Sequence, residues 1–306
     1  MARLTYSFRG FVVPVFTPFN ERFLLDLTVI PNYAKYLADR GIKGILVNGT
    51  SGEGTSMSVQ ERKSLAEAWA GAAKSAKLHL MIQVGGAPLP DVLELARHAE
   101  EIKADSLLCL PELYFKPTEN RQLVNYLKRV GEAAPKTPLL YYHVPMFTNV
   151  TLHMGEFLES IGDELASFVG IKFTSTNLEE GAQAVRANSS RFVVFLGSDQ
   201  IISAACAVGM DSFIPTSVNM FPELALEILA ASEKGDLKKA RDKQEKLSKA
   251  VITISKYGNW VQTMKAAMPI LTSVNVGPPR MPLIKLHEDK INTMKKDLTA
   301  LGLSIN

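Results

Sequence analysis

Cysteine is nearly absent from these 306 residues: only Cys109 and Cys206 occur, each inside an apolar run. A disulfide framework is thereby excluded, and both read as reduced core thiols. Histidine is scarce too. The five, at 79, 98, 143, 153 and 287, show neither His-x-His nor His-Glu-x-x-His spacing, so no metal site is expected. Nor is there an excess of one charge. The net value is +3, without the concentrated basic stripe of a nucleic-acid binder. Lysines gather in "EKGDLKKARDKQEKLSK" (233–249), but Glu233, Asp236, Asp242 and Glu245 interleave with them, which describes a solvated helix face. Long apolar runs are missing as well. "MARLTYSFRGFVVPVFTPFN" is broken by Arg9 and two prolines, so neither a signal peptide nor a membrane span is expected and the chain reads as cytoplasmic. Two glycosylation sequons, at Asn48 and Asn149, then carry no meaning.

What the sequence does have is a rhythm. Apolar, β-rich runs recur at 11–16, 44–48, 78–84, 106–110, 138–142, 168–173, 192–196 and 212–215, continuous rather than alternating, as in strands buried on both faces. Between them lie helical stretches with start signals: Ser58 with Glu61 and Thr176 with Glu179 have capping-box spacing. After Ser58, residues Leu65, Trp69, Ala72, Ala73 and Ala76 share one stripe, suited to packing on a sheet. Eight strand–helix units predict a (β/α)8 TIM barrel. An open doubly wound sheet would carry a glycine fingerprint after its first strand, and "VVPVFTPFN" has none. Residues 1–219 are read as the barrel and 220–306, which hold no convincing strand, as a helical layer packed on it.

In such a barrel, chemistry belongs at the carboxyl ends of the strands. "GTSGE" follows the second strand, Tyr142 ends the fifth, Lys172 ends the sixth and "GSDQ" follows the seventh. A strand-end lysine ordinarily snorkels to solvent, but Lys172 is flanked by Phe168, Val169, Ile171 and Phe173. Desolvation favours its neutral amine; a shift from about 10.4 to about 7–8 requires roughly 3.5–5 kcal/mol, within the reach of burial. A neutral amine can attack a ketone and form a Schiff base. Tyr142 alone would be a packed ring with one hydrogen bond; beside Lys172 its phenol is a proton relay. "VNGTSGEG" (47–54) lacks the Gly-Lys-Ser/Thr of a phosphate loop and the Gly-x-Ser-x-Gly of a hydrolase elbow. What remains is a loop whose hydroxyls and free N–H groups at Thr50 and Ser51 can hold a small carboxylate. Among the histidines, His143 stands out by lying beside Tyr142.

"GTSGE", "YYHVP", "GIKFTST" and "GPPRMPL", in this order, resemble the N-acetylneuraminate lyase and dihydrodipicolinate synthase superfamily of class I pyruvate aldolases. The resemblance spans nearly the whole chain. It implies a (β/α)8 barrel, Lys172 as the Schiff-base lysine, Tyr142 as the proton relay, and Thr50 and Ser51 on a pyruvate carboxylate. It further implies substrate contacts from Thr174, Gly197, Asp199, Gln200 and Thr216, a homotetramer in which Tyr114 of "ELYFKP" reaches across a subunit interface, and neither metal nor organic cofactor. The synthase branch carries arginine where this chain has Phe147; an uncharged residue there suits a sugar acid, and His143 with "GPPRMPL" resembles the animal sialic acid lyases. Departures gather at the sugar end: Gln200 for glutamate, Pro215-Thr216-Ser217 for Gly-Ser-Thr, and Asn149 for glycine. Loss of charge at Gln200 weakens the hold on a sugar tail by about 1–2 kcal/mol, and Pro215 removes a backbone donor. Two other readings follow from the same residues: an aldolase or hydro-lyase for another 2-keto-3-deoxy acid, and a non-catalytic barrel kept for binding or assembly.

Overall fold

The computed structural model describes residues 3–306. Eight parallel strands, β1 (Gly10–Pro14), β2 (Gly44–Val47), β3 (His79–Gln83), β4 (Ser106–Cys109), β5 (Leu139–His143), β6 (Phe168–Phe173), β7 (Val193–Leu196) and β8 (Ser212–Phe213), close in sequence order into one barrel. The helices α1 (Ile30–Asp39), α2 (Val59–Ala76), α3 (Leu89–Glu101) and α4 (Asn120–Ala133) fill the first four crossovers. After β5 come α5 (Pro145–Thr148) and α6 (Met154–Ser160), then α7 (Leu178–Ser190), which leaves helical geometry at Ala187, and α8 (Ile202–Ala207). Helix α9 (Pro222–Glu233) follows β8, and α10 (Leu237–Ser255), α11 (Trp260–Leu271) and α12 (Glu288–Ala300) complete the chain. Helix α9 lies back beside α1, where Arg40 pairs with Glu223 at 3.0 Å. The (β/α)8 barrel with helices after it is thus the observed architecture. No described helix is long and apolar enough to cross a membrane.

The continuous apolar strands are explained by two cores. Val12, Leu46, Met81, Leu108, Leu140 and Phe195 fill the lumen, while Phe11, Ile45, Ile82, Leu107, Ile171 and Phe213 meet the helices outside. Leu4, Tyr6 and Phe8 plug the amino-terminal end of the lumen. Tyr6 reaches His79 Nε2 at 3.0 Å and His79 reaches Ser106 Oγ at 2.9 Å, so the floor's polar atoms are satisfied.

At α2 the capping box forms as the spacing requires: Glu61 N donates to Ser58 Oγ at 3.2 Å and Ser58 N to Glu61 Oε2 at 2.9 Å. Leu65, Ala66, Trp69 and Ala73 are buried beneath it, with Ala72 and Ala76 at its margin. At α7 the expected Thr176–Glu179 box does not form. Asn177 caps instead, its side chain accepting from Glu180 N at 3.2 Å, because the helix starts one residue later. Cys109 is buried and Cys206 half-buried, and both are free thiols. His98 pairs with Glu67 at 2.9 Å, and His153 and His287 accept at the N-termini of α6 and α12.

His143 is not part of the lumen. It points outward, buried and stacked on Phe173 with ring centroids 5.5 Å apart, while Tyr142 points in; adjacent residues of a strand face opposite sides. Burial, helped by the nearby His153, lowers its pKa to about 4, and burial does the same to His79 against the opposing pull of Asp105. In the folded chain each ring stays neutral down to about pH 4, whereas an unfolded histidine takes a proton near pH 6.5. The unfolded state therefore binds more protons between those values, and stability should fall with pH through that window, by on the order of 2 kcal/mol per ring between pH 7 and pH 5. Urea unfolding at several pH values checks this; a flat profile from pH 7 to 5 contradicts it.

Candidate functional site

Register brings the central pair together. Tyr142 of β5 lies directly opposite Lys172 of β6, and both face the lumen because their neighbours Tyr141, Ile171 and Phe173 face the helices. The Lys172 ammonium nitrogen sits 4.1 Å from the centroid of the Tyr142 ring, and the residue is only 4% exposed. Among the described residues no carboxylate forms an ion pair with it. Lys265 offers a contrast within the same molecule. It is buried as deeply, but its nitrogen donates to Glu53 at 2.7 Å and to the carbonyls of Thr17 and Pro278 at 2.9 Å each. One buried lysine has its hydrogen bonds filled by the protein; the other has an aromatic face and an unfilled surrounding.

The hydroxyl pair of the loop after β2 divides between two partners. Thr50 Oγ1 shares a hydrogen bond with Tyr142 Oη at 3.0 Å, so the phenol is linked to the loop on one side and covers Lys172 with its ring. Ser51 Oγ lies 2.8 Å from Thr216 Oγ1, which also accepts from the Trp260 indole N–H at 3.3 Å. This chain of contacts joins β2, β8 and α11 at the carboxyl rim. The Thr50 hydroxyl gives the phenol a hydrogen-bond partner on the loop side of the lumen.

On the other side of Lys172 stand Thr174, Gly197 and Asp199. A β-carbon at Gly197 would overlap the Thr174 hydroxyl and come within 3.1 Å of Lys172 Cε, so glycine there lets β7 pass close to the amine. Thr174 Oγ1 is buried without a hydrogen-bond partner, a donor and acceptor left unfilled beside the lysine. Asp199 is buried and accepts from Ser217 N at 2.6 Å. Burial pushes its carboxyl above the usual range, and the Ser217 hydrogen bonds and the charge of Lys172 partly offset this.

Gln200 is exposed on the same loop, and no side-chain contact ties it to the cluster. Tyr114 lies apart on the loop after β4, 82% exposed, its ring edge-on to Phe115 at 5.0 Å. Asn149 caps α5 in the left-handed region at φ 54°, which asparagine tolerates better than other side chains; the expected departure from glycine there leaves the backbone path open. Pro215 precedes the short 3-10 turn Thr216–Asn219, and the donor to Asp199 comes from Ser217 instead. A cavity of about 340 Å³ opens beside Thr50 and is lined by Gln83, Leu110, Val144, Phe147 and Trp260 among others. Trp260 and Lys265 were not singled out by sequence reasoning. Neither carries a local signal, since their partners are 44 and 212 positions away.

A family model for the dihydrodipicolinate synthetase family matches residues 7–301. The chain belongs to that family. Among curated relatives, the N-acetylneuraminate lyase of Gallus gallus is 35% identical, covering 95% of this chain and 96% of its own. The human N-acetylneuraminate lyase is 34% identical over 96% of this chain and 92% of its own. Among solved structures, the N-acetylneuraminate lyase of Aliivibrio salmonicida superposes with a TM-score of 0.92 at 32% identity, over 98% of each chain. The family resemblance read from the four separated motifs is therefore shown, across the same span of chain.

If Gly197 is glycine for the sake of that close approach, Gly197→Ala should destabilise the protein by about 1–3 kcal/mol, the usual cost of overpacking. Thr174→Ala in the same chain, by deleting the hydroxyl, should recover part of the loss. Denaturant midpoints of the single and double variants decide it: strictly additive effects would show that the two residues do not press on each other.

Proposed function

We propose that this protein is a class I aldolase that cleaves N-acetylneuraminate to N-acetylmannosamine and pyruvate through a Schiff base on Lys172. The observation that carries the reading is the Lys172–Tyr142–Thr50 arrangement: a buried amine that forms no ion pair, 4.1 Å from the centroid of a phenol ring whose hydroxyl is 3.0 Å from a loop hydroxyl. An amine in this setting can serve as a nucleophile. The family membership and the names of the relatives support the same chemistry.

In the proposed sequence, the open-chain sugar acid rests its carboxylate on the loop at Thr50 and Ser51. Lys172 attacks C2, and loss of water gives an imine. The protonated imine accepts the electron pair of the C3–C4 bond as it breaks, while Tyr142, left as phenolate after protonating the departing water, takes the proton of the C4 hydroxyl and then returns it to C3 of the enamine. N-acetylmannosamine departs as the aldehyde. The enamine takes a proton at C3, and hydrolysis releases pyruvate and the free amine. The cationic nitrogen is the electron sink, so every step is assigned to the chain's own residues.

Thr174, Gly197, Asp199, Gln200 and Thr216 are proposed to meet the sugar portion. The uncharged Phe147 and Trp260 in the adjoining cavity favour a sugar over a second carboxylate. We further infer a cytoplasmic homotetramer, for which the exposed Tyr114 and Phe115 supply an apolar surface and Tyr114 a side chain free to cross a subunit interface.

Incubation with pyruvate and borohydride, followed by mass analysis, should add a reduced pyruvyl group at Lys172; an unmodified protein would overturn the Schiff-base mechanism. Tyr142→Phe should still be trapped yet cleave N-acetylneuraminate at least a hundredfold more slowly, in line with the usual worth of a positioned proton carrier. Near-normal turnover of that variant would remove Tyr142 from the mechanism.

A further inference from the structure

Three elements distant in sequence converge on the loop that carries Thr50 and Ser51. Glu53 closes it, its backbone N–H donating to the Thr50 carbonyl at 3.0 Å. Glu53 holds a left-handed conformation, φ 52° and ψ 35°, which is strained for a residue with a side chain. Glycine would adopt it without strain. A glutamate kept in such a place points to a task for its carboxylate.

That carboxylate is fully used. Oε1 accepts from Lys265 Nζ of α11 at 2.7 Å, and Oε2 accepts from the backbone N–H of Arg280 at 2.7 Å. Lys265 is in turn saturated by the carbonyls of Thr17 and Pro278, and it stands 4.7 Å from the Phe19 ring centroid. The two side chains are 1% and 2% exposed. Arg280 extends the hold: its guanidinium binds both oxygens of Glu61, at 2.7 and 3.0 Å, and the Ser56 carbonyl at 3.0 Å. Thr17 Oγ1 donates to the Gly52 carbonyl from the end of β1. A β-carbon on Gly54 would overlap the Asn48 carbonyl, so the loop has no slack on its inner side.

A buried ion pair is a weak source of net stability, because desolvation offsets most of the attraction. Its strength is directional: two oxygens and three ammonium protons admit one arrangement. We propose that Glu53 and Lys265 are positioning residues for the pyruvate site, fixing the Thr50–Ser51 backbone where a substrate carboxylate must dock. The C-terminal helical layer thereby acts on catalysis from behind the loop, without touching substrate. This rests on the Schiff-base reading above.

The effect falls on binding of the carboxylate more than on imine chemistry, since Lys172 and Tyr142 stand on β6 and β5, which hold their backbones, and the loop reaches them only through the Thr50 hydroxyl on the Tyr142 phenol. The test follows borohydride trapping at Lys172 as a function of pyruvate concentration. Glu53→Asp keeps the charge but withdraws it from Lys265; it should raise half-saturating pyruvate tenfold or more while the limiting rate falls by less than threefold. Glu53→Gln with Lys265→Met removes both charges together, so no lone ion is left buried, and it should show the same split if Glu53→Asp fails to fold. Circular dichroism and thermal melting verify the fold of each. A folded variant with wild-type half-saturation would overturn the positioning role, as would a limiting rate that falls as much as affinity. Failure of the wild-type protein to be trapped at all would instead overturn the Schiff-base reading on which the proposal rests.

Discussion

The parallel pairing of β5 with β6 sets Lys172 against the face of Tyr142, and the rest of the site is arranged around that contact. A closed barrel offers the amine a wall of apolar side chains below, an aromatic face beside it and an opening only at the carboxyl rim. Among the described residues no carboxylate pairs with that nitrogen, which rests against an aromatic face instead. Lys265 shows the alternative open to the same residue type. Surrounded by three oxygens, it is a structural ion.

Around this pair the protein divides labour by distance along the chain. Strands supply the lysine and the phenol, whose backbones are fixed by pairing with the neighbouring strands on both sides. Loops after β2, β7 and β8 supply the small polar residues, tied together by Ser51, Thr216, Asp199 and Ser217. The C-terminal helices supply the backing through Trp260, Lys265 and Arg280. A site spread over so many elements gains precision because each loop is held from more than one direction, as a preorganised site requires.

Much of the fold was legible because barrel strands are buried twice over, and eight continuous apolar runs at near-regular spacing leave few other architectures. The capping box at Ser58 was legible for a local reason: its hydrogen bonds join residues three apart. The same reasoning failed at Thr176, where Asn177 offers an equally good cap and the neighbouring Glu180 carboxylate serves Met154 N at 2.9 Å. His143 attracted attention through adjacency to Tyr142, yet adjacency within a strand means opposite faces, and it belongs to the outer core. Gln200 and Tyr114 were named from motif position, and the fold leaves both exposed. At Asn149 the departure from glycine proved to preserve the backbone's left-handed turn.

The sequence by itself determined the rhythm of strands and helices, the identity of the lysine and phenol, and the hydroxyl-bearing loop, because burial pattern and side-chain chemistry are local properties. Tertiary structure decided which lysine stands bare and which is clamped, which of two neighbouring residues faces the lumen, and what presses on the loop from 212 positions away. Those outcomes depend on strand register and on contacts between distant segments, and neither exists until the barrel closes.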